Sequence, residues 1–183
     1  MRISLVGLPG SGKSTVGRYL ARRLGTQFFD CDSEIERQLG CTIRDYFERS
    51  GEGCFRDVEA STLLGLTQHP SGVISTGGGV VERAENRAVL HACSHVIYLH
   101  SMPDEVFRRL RYDQSRPLLQ VADPMARLRG MYALRDPLYR EVAHLVIETG
   151  RPSVSSLVNT IVARLQLPKL IPSLPDSVPP SRT

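Results

Sequence analysis

A glycine-rich segment near the N-terminus has the residue types that bind phosphate. It reads Gly7-Leu8-Pro9-Gly10-Ser11-Gly12-Lys13-Ser14-Thr15 and fits the pattern G-x-x-x-x-G-K-[ST] in full. Glycines let consecutive backbone N–H groups turn inward around an anion, and a following helix N-terminus adds unpaired donors. Lys13 can reach the β- and γ-phosphates, and the Ser14 hydroxyl can bind Mg²⁺. The segment therefore predicts an ATP phosphate site.

Two carboxylates follow the next apolar run, in Phe28-Phe29-Asp30-Cys31-Asp32. Ligands of open parallel sheets lie beyond the carboxyl ends of the strands, so both acids are expected near the phosphates. Asp30 is predicted to hold Mg²⁺, directly or through water. Asp32 is predicted to face the acceptor and to orient or deprotonate its hydroxyl. The alternative is that Asp32 only caps a helix that begins near Ser33.

Further along the chain, charged residues and glycines could hold an acceptor. Arg56 and Glu59 are three residues apart on one helix face and could pair, although a surface ion pair of this kind contributes little. The three glycines of Thr76-Gly77-Gly78-Gly79 are costly in chain entropy. They favour a place where backbone approaches a ligand closely.

Two later arginines could meet the charges of the reactants. Arg116 falls in a segment, residues 113–123, that lacks apolar periodicity and is expected to form a mobile lid. An arginine on a lid can neutralise charge in the transition state of phosphoryl transfer. Arg135 could bind a carboxylate through its planar fork. The alternative for each arginine, taken singly, is a solvated surface residue.

The elements that must position these residues alternate between short apolar runs and amphipathic stretches, which is typical of a parallel sheet between helical layers. Prolines are dense from residue 168, so residues 168–183 are expected to form an extended or disordered tail after one domain of residues 1–167. The predicted strands are residues 3–6, 27–30, 72–75, 95–99 and 144–147. The predicted helices are residues 13–24, 33–39, 43–49, 52–68, 83–93, 102–112, 124–143 and 153–165.

Composition bounds the class of protein. The chain has 183 residues, 41% hydrophobic and 23% charged, as expected for one soluble globular domain. The net charge is +4, but the arginines are scattered and not arranged in one stripe with aromatic residues, so we expect no nucleic-acid partner. No apolar run approaches the ~20 residues of a membrane span. No signal peptide is recognisable, and the four cysteines have no metal-like spacing, so we expect a cytoplasmic monomer that does not bind membranes.

These motifs together resemble those of the shikimate kinases, a family of small P-loop kinases built like nucleoside monophosphate kinases. The resemblance runs from about residue 2 to about residue 167. The P-loop alone is generic, whereas the order and spacing of the other motifs are specific to the family. Those motifs are Asp30-Cys31-Asp32, Gly51-Glu52, Phe55-Arg56 with Glu59, Gly77-Gly78-Gly79, Arg116-Pro117-Leu118-Leu119, and Arg135 with Pro137-Leu138-Tyr139.

The resemblance implies an α/β fold, the three-layer α/β/α P-loop kinase fold with a five-stranded parallel sheet. It also implies MgATP-dependent phosphorylation of shikimate to shikimate 3-phosphate, a step of chorismate and aromatic amino acid biosynthesis. Asp32 would bind the ring hydroxyls and act as the base, and Arg56 and Arg135 would clamp the carboxylate. Roles further implied are Glu59 positioning Arg56, the backbone of Gly77, Gly78 and Gly79 against the substrate, Arg116 on phosphate and substrate, Arg109 and Arg151 beside adenine, and Phe47, Phe55, Pro117 and Leu118 as apolar walls.

Two alternatives share the P-loop. One is a gluconate-type or nucleoside monophosphate kinase on the same fold, and the other is a nucleotide-binding module without turnover. The first gives no reason for Asp32, Arg56, the three glycines and Arg135 to occur together. The second requires a missing catalytic group, yet Lys13, Ser14, Asp32 and Arg116 are all present.

Overall fold

Five short apolar runs form one parallel sheet in the computed structural model, which describes residues 1–110, 121–150 and 152–170. The strand order is β2-β3-β1-β4-β5, and every neighbouring pair is parallel. β1, β3 and β4 are almost wholly buried, as expected for strands covered on both faces. The strands are β1 (Arg2–Val6), β2 (Phe28–Asp30), β3 (Gly72–Ser75), β4 (His95–His100) and β5 (Leu145–Glu148).

Helices connect the strands and cover both faces of the sheet. They are α1 (Lys13–Leu24), α2 (Cys31–Leu39), α3 (Ile43–Leu66), α4 (Ala84–Cys93), α5 (Pro103–Leu110), α6 (Pro124–Val142) and α7 (Val154–Leu170), with a short 3₁₀ helix at Val80–Glu82. One face packs α1 and α7 against Ile3, Leu5, Ile97 and Leu99. The other face packs the remaining helices around Tyr98, Tyr139 and Leu63. These two cores give the three-layer α/β/α architecture that the resemblance implies.

The sheet order brings the candidate residues to one edge. β1 lies between β3 and β4, and β2 pairs with β3. The phosphate loop after β1, the acids after β2 and the glycines after β3 therefore all leave the same carboxyl edge of the sheet. This is the place where open α/β sheets bind their ligands.

Two predicted boundaries are wrong in an informative way. Residues 43–49 and 52–68 are predicted as separate helices, but α3 runs from Ile43 to Leu66 and is interrupted only at Gly51, whose φ of 82° is non-helical. The predicted break is thus a one-residue kink. The helix predicted to end at residue 165 continues to Leu170 and includes Pro168. Proline within a helix is destabilising but not forbidden, so its presence in the sequence does not by itself fix where a helix ends.

Some predictions concern residues outside the described part of the chain. These are most of the lid, with Arg116, Pro117 and Leu118, and also Arg151 and the tail beyond Leu170. Among the described residues, no helix has both the length and the apolar composition needed to span a membrane.

Candidate active site

The phosphate loop connects β1 to α1, as its pattern predicts. α1 begins at Lys13, and its N-cap is Gly12 in the left-handed region, with φ of 92°. A side chain at Gly12 would meet no atom within 4 Å, so conformation and not space requires glycine there. The Lys13 ammonium is buried and donates to the carbonyl oxygens of Gly7 at 2.8 Å and Leu8 at 2.9 Å. The Lys13 side chain therefore connects the start of α1 to the start of the loop.

Ser14 and Asp30 meet directly beside the loop. The Ser14 hydroxyl donates to Asp30 Oδ2 at 2.7 Å and lies 3.2 Å from the Ser75 hydroxyl at the end of β3. Asp30 Oδ1 accepts from the backbone N–H of Ser33 at 3.3 Å, which makes Asp30 the N-cap of α2. The alternative role for Asp32 as the cap of this helix is therefore wrong, because the cap is Asp30.

Asp32 lines a cleft at this edge of the sheet. The cleft has a volume of about 360 Å³ and lies between the phosphate loop, the start of α2 and the end of β3. Lys13, Ser14 and Gly78 also line it. The full lining is Pro9, Gly10, Gly12, Lys13, Ser14, Thr15, Asp32, Ser75, Thr76, Gly78 and Leu110. A phosphate group bound by the loop would thus face Asp32.

The glycine turn, residues 77–79, lies against charged side chains. A Cβ at Gly77 would lie 2.8 Å from Glu59 Oε1 and 3.1 Å from Asp32 Oδ1, and one at Gly79 would lie 2.6 Å from Arg56 Cζ. Gly79 has an ordinary φ of −89°, so here close approach and not backbone conformation requires glycine. The Tyr139 hydroxyl of α6 donates to the Gly78 carbonyl at 2.5 Å and fixes the turn.

Arg56 and Glu59 form the predicted pair, but the pair is buried and not on the surface. Arg56 Nη1 donates to Glu59 Oε2 at 2.7 Å, and the Glu59 side chain is only 3% exposed. Burial raises the pKa of the Glu59 carboxyl, and Arg56 offsets part of that rise. Burial opposes the charge of Arg56, but Glu59, Glu82 and Glu52 outweigh it and raise its pKa. Each buried charge is therefore stabilised by the other, and removing one would leave the other unpaired.

Arg135 comes to the same cluster from α6. It is 8% exposed, and its Nε donates to Glu82 Oε1 at 2.7 Å. The other oxygen of Glu82 lies 3.6 Å from Arg56 Nη2. Ion pairs thus connect Glu59, Arg56, Glu82 and Arg135, and Asp32 and Glu59 both border Gly77; these five residues are called the acid-base series below. The structure brings together the three residues, Asp32, Arg56 and Arg135, on which the predicted acceptor site depends.

A smaller cavity of about 200 Å³ lies on the other side of the phosphate loop. Arg109 lines it, and its Nη2 donates to the Thr149 carbonyl at 2.5 Å. The cavity is lined by Ser11, Gly12, Thr15, Val16, Arg109, Thr149, Pro152, Val154 and Leu157. Its position next to the phosphate loop and its mixed apolar lining suit a nucleotide base.

Phe47 and Phe55, the two described residues among the predicted apolar walls, lie on α3 with their ring centroids 5.5 Å apart.

Glu82 is the site residue that the sequence motifs do not identify. It lies on the 3₁₀ helix immediately after the glycine turn and belongs to none of the motifs that carry the resemblance. The available signal is weak: an acid shortly after three glycines at the sheet edge where the arginines are expected. Elsewhere, His91 and His95 stack on His144, but no group of three or more His, Cys, Asp or Glu side chains in the described ranges is arranged to hold a metal ion.

Comparison with known proteins identifies the family. A family model described as shikimate kinase matches residues 9–166. The shikimate kinase of Paracidovorax citrulli is 51% identical over 178 residues, which are 96% of this chain and 97% of that protein. The solved shikimate kinase of Acinetobacter baumannii, in complex with shikimate, has a TM-score of 0.89 and 44% identity, with 93% of this chain and 95% of that chain covered.

A more distant likeness concerns the fold alone. A gluconokinase from Sinorhizobium meliloti has a TM-score of 0.55 at 17% identity, with 92% of this chain and 94% of that chain covered. The family model matches residues 9–166, and the first relative covers 96% of this chain. This chain belongs to the shikimate kinase family.

Proposed function

We propose that this chain transfers the γ-phosphoryl group of ATP to the 3-hydroxyl of shikimate. One observation carries the proposal: the acid-base series that runs from the phosphate cleft at Asp32 to the guanidinium groups of Arg56 and Arg135. Shikimate is a small carboxylate with several ring hydroxyls. Such a ligand needs a bidentate cation for its acid end and a carboxylate for its hydroxyl face, and this series supplies both.

The phosphates of ATP would bind the N–H groups of the loop and Lys13. Because Lys13 already spans the loop through Gly7 and Leu8, its ammonium is held in position before a ligand arrives. The hydroxyl of Ser14 and the carboxylate of Asp30, 2.7 Å apart, are the oxygen donors that Mg²⁺ prefers. Bound there, Mg²⁺ would neutralise charge on the β- and γ-phosphates. The base would occupy the cavity at Arg109, with Arg151 also beside it.

The acceptor would lie between Asp32 and the arginine pair, Arg56 and Arg135. Arg56 Nε is buried and has no hydrogen-bond partner among the described residues, so this guanidinium retains donor capacity for an anion. Glu59 holds Arg56 in place, and the backbone of the glycine turn would lie against the ring. Phe47, Phe55, Pro117 and Leu118 would supply apolar walls.

The reaction is an in-line displacement at the γ-phosphorus. The bond from phosphorus to the β,γ-bridging oxygen breaks and leaves ADP, while a bond forms from the shikimate 3-oxygen to phosphorus. Asp32 orients that hydroxyl and accepts its proton. Arg116, from the lid, would stabilise the charge on the transferring group. Every group named here comes from one chain, so we propose a monomer, acting in the cytoplasm where ATP is available.

A coupled assay of ADP production tests the proposal. Purified full-length chain receives MgATP with shikimate, gluconate or AMP in parallel. We expect ADP with shikimate and no more than the background rate of ATP hydrolysis with the other two acceptors. Arg135→Ala, which removes half of the arginine pair, should raise the KM for shikimate while the KM for ATP stays unchanged.

The remaining outcomes contradict the proposal in different ways. Turnover of gluconate or AMP in preference to shikimate would indicate a relative that shares only the fold. Shikimate binding by calorimetry without ADP production would indicate a binding module without turnover. Phosphate found on another hydroxyl by NMR would overturn the 3-position.

A further inference from the structure

The acid Glu82 touches both members of the arginine pair. Its Oε1 accepts from Arg135 Nε at 2.7 Å, and its Oε2 lies 3.6 Å from Arg56 Nη2. The two oxygens of one carboxylate are thus divided between two guanidinium groups. The Glu82 side chain is 26% exposed, whereas those of Arg135 and Arg56 are 10% and 12% exposed. A charged hydrogen bond at such depth is worth more than a surface ion pair.

The atom of Arg135 that Glu82 contacts determines which N–H donors of the guanidinium could bind a ligand. A guanidinium has five N–H donors in a rigid plane, with Nε on one edge and the two terminal nitrogens at the far end. Glu82 contacts the Nε edge. The fork of the two terminal nitrogens is the part that can bind a ligand carboxylate in a bidentate manner. A partner at Nε fixes the plane of the group without itself occupying this fork.

Neighbouring elements hold Glu82 itself. It ends the 3₁₀ helix Val80–Glu82, and its backbone N–H donates to the Gly79 carbonyl at 3.0 Å. Arg87 of α4 donates to the carbonyls of Val81 and Glu82 at 2.8 and 3.2 Å. The carboxylate is therefore mounted on a short segment that is fixed to the glycine turn on one side and to α4 on the other.

We propose that Glu82 is a positioning residue for the acceptor carboxylate: by accepting a hydrogen bond from Arg135 Nε, it aims the terminal fork of Arg135 at the substrate. This inference rests on the proposed function, in which Arg135 binds the carboxylate of shikimate. It assigns Glu82 to binding of the acceptor and not to phosphoryl transfer. The hydrogen-bond acceptor, and not the negative charge, is the feature required.

Two substitutions in the full-length chain separate the acceptor atom from the charge. Glu82→Ala removes both and should raise the KM for shikimate by about tenfold, since a charged hydrogen bond is lost, with kcat falling much less. Glu82→Gln keeps one oxygen that accepts from Arg135 Nε but turns an NH2 group toward Arg56, so its KM should lie between those of the parent and Glu82→Ala. The KM for ATP should not change in either variant. Glu85→Ala and Glu85→Gln, on the exposed first turn of α4, are matched controls expected to leave both KM values unchanged.

The outcomes that overturn the inference are distinct from failure of the proposed function. A Glu82→Ala variant with the parent KM for shikimate, or with both KM values raised alike, overturns the positioning role, as does a Glu82→Gln variant as impaired as Glu82→Ala. If the parent chain does not phosphorylate shikimate, or if Arg135→Ala leaves its KM unchanged, the proposed function fails first. If the parent is active and Arg135→Ala has a raised KM for shikimate, but Glu82→Ala has the parent KM, then only the role of Glu82 is contradicted.

Discussion

At the scale of single residues, Gly79 shows how one missing side chain shapes the acceptor site. A Cβ at this position would lie 2.6 Å from Arg56 Cζ, and the guanidinium is buried between Glu59 and Glu82, so it has little room to move away. Gly79→Ala should therefore displace Arg56 and raise the KM for shikimate by about tenfold, with the KM for ATP within about twofold. Steady-state kinetics with each substrate varied in turn would measure both.

A matched glycine makes this prediction specific to position. Gly130 is an exposed residue of α6, and a Cβ there would meet no atom within 4 Å. Gly130→Ala should leave the kinetics unchanged and stabilise the helix by about 0.5–1 kcal/mol. Parent-like shikimate kinetics in Gly79→Ala would mean that the contact with Arg56 does not govern acceptor binding.

Residue type and spacing indicate the phosphate site well and the acceptor site less completely. The places of Lys13 and Ser14 at the start of α1 were predictable because their motif follows a buried strand, and that of Asp30 because it ends the next predicted strand. The pairing of Arg56 with Glu59 was predictable from helical spacing, but its burial was not, because burial depends on α3 packing beside the glycine turn. Glu82 meets its arginines across more than 25 residues of sequence on one side and more than 50 on the other, and no local pattern encodes such a contact.

At the scale of elements, α6 is fastened to the sheet by hydrogen bonds next to Arg135. The Tyr139 hydroxyl donates to the Gly78 carbonyl at 2.5 Å, and the Tyr98 hydroxyl of β4 donates to Asp136 Oδ1 at 2.8 Å. Burial raises the pKa of Tyr139, which keeps its hydroxyl protonated as a donor. These contacts hold the glycine turn and the helix that carries Arg135 in one arrangement.

Tyr139→Phe tests this fastening of α6. It removes one buried hydrogen bond and should lower the free energy of unfolding by about 1–2 kcal/mol, measured by urea denaturation. It should also raise the KM for shikimate more than that for ATP, because the glycine turn and Arg135 lose a shared anchor. Tyr19→Phe, on an exposed tyrosine of α1, should change neither. An unchanged unfolding energy in Tyr139→Phe would contradict the role of the hydroxyl.

Elements were more predictable than their ends. The strands follow from short apolar runs bounded by turn residues, and the helices from amphipathic periodicity. Glycine interrupts helical geometry, so the sequence predicts that a helix ends at Ser50-Gly51. In the structure, packing of α3 against α2 and the glycine turn restores the helix after one residue, and only tertiary structure could decide between an end and a kink.

At the scale of the whole molecule, the parallel sheet was predictable from the sequence, but its strand order was not. The order β2-β3-β1-β4-β5 depends on which helices cover which face, and that is settled by packing across the whole chain. The order places the phosphate loop next to the strand that carries the glycine turn. The candidate active site therefore depends on the order of the strands, because that order brings the separate motifs together at one edge of the sheet.

The stability of the whole molecule should fall in mild acid, because a histidine cluster lies where β4 begins and α6 ends. The rings of His91 and His95 stack on that of His144, and His144 Nδ1 accepts from the Val96 N–H at 3.0 Å. Burial lowers the pKa of His144, with further contributions from His91 and His95, and burial lowers that of His95. Below about pH 6.5 the unfolded chain therefore binds protons that the folded chain resists.

His144→Asn separates this cluster from other causes of acid sensitivity. The asparagine oxygen can take the place of Nδ1 as acceptor for Val96 but does not bind a proton in this range, whereas a protonated imidazole cannot accept at Nδ1. Urea denaturation between pH 8 and pH 5 should show the parent losing unfolding free energy below about pH 6.5, with a shallower loss in the variant. Above pH 7, where the imidazoles are neutral in both states, the two proteins should have parallel curves. Identical slopes below pH 6.5 would mean that the cluster does not couple folding to protons, because the variant lacks the group whose charging the folded chain opposes.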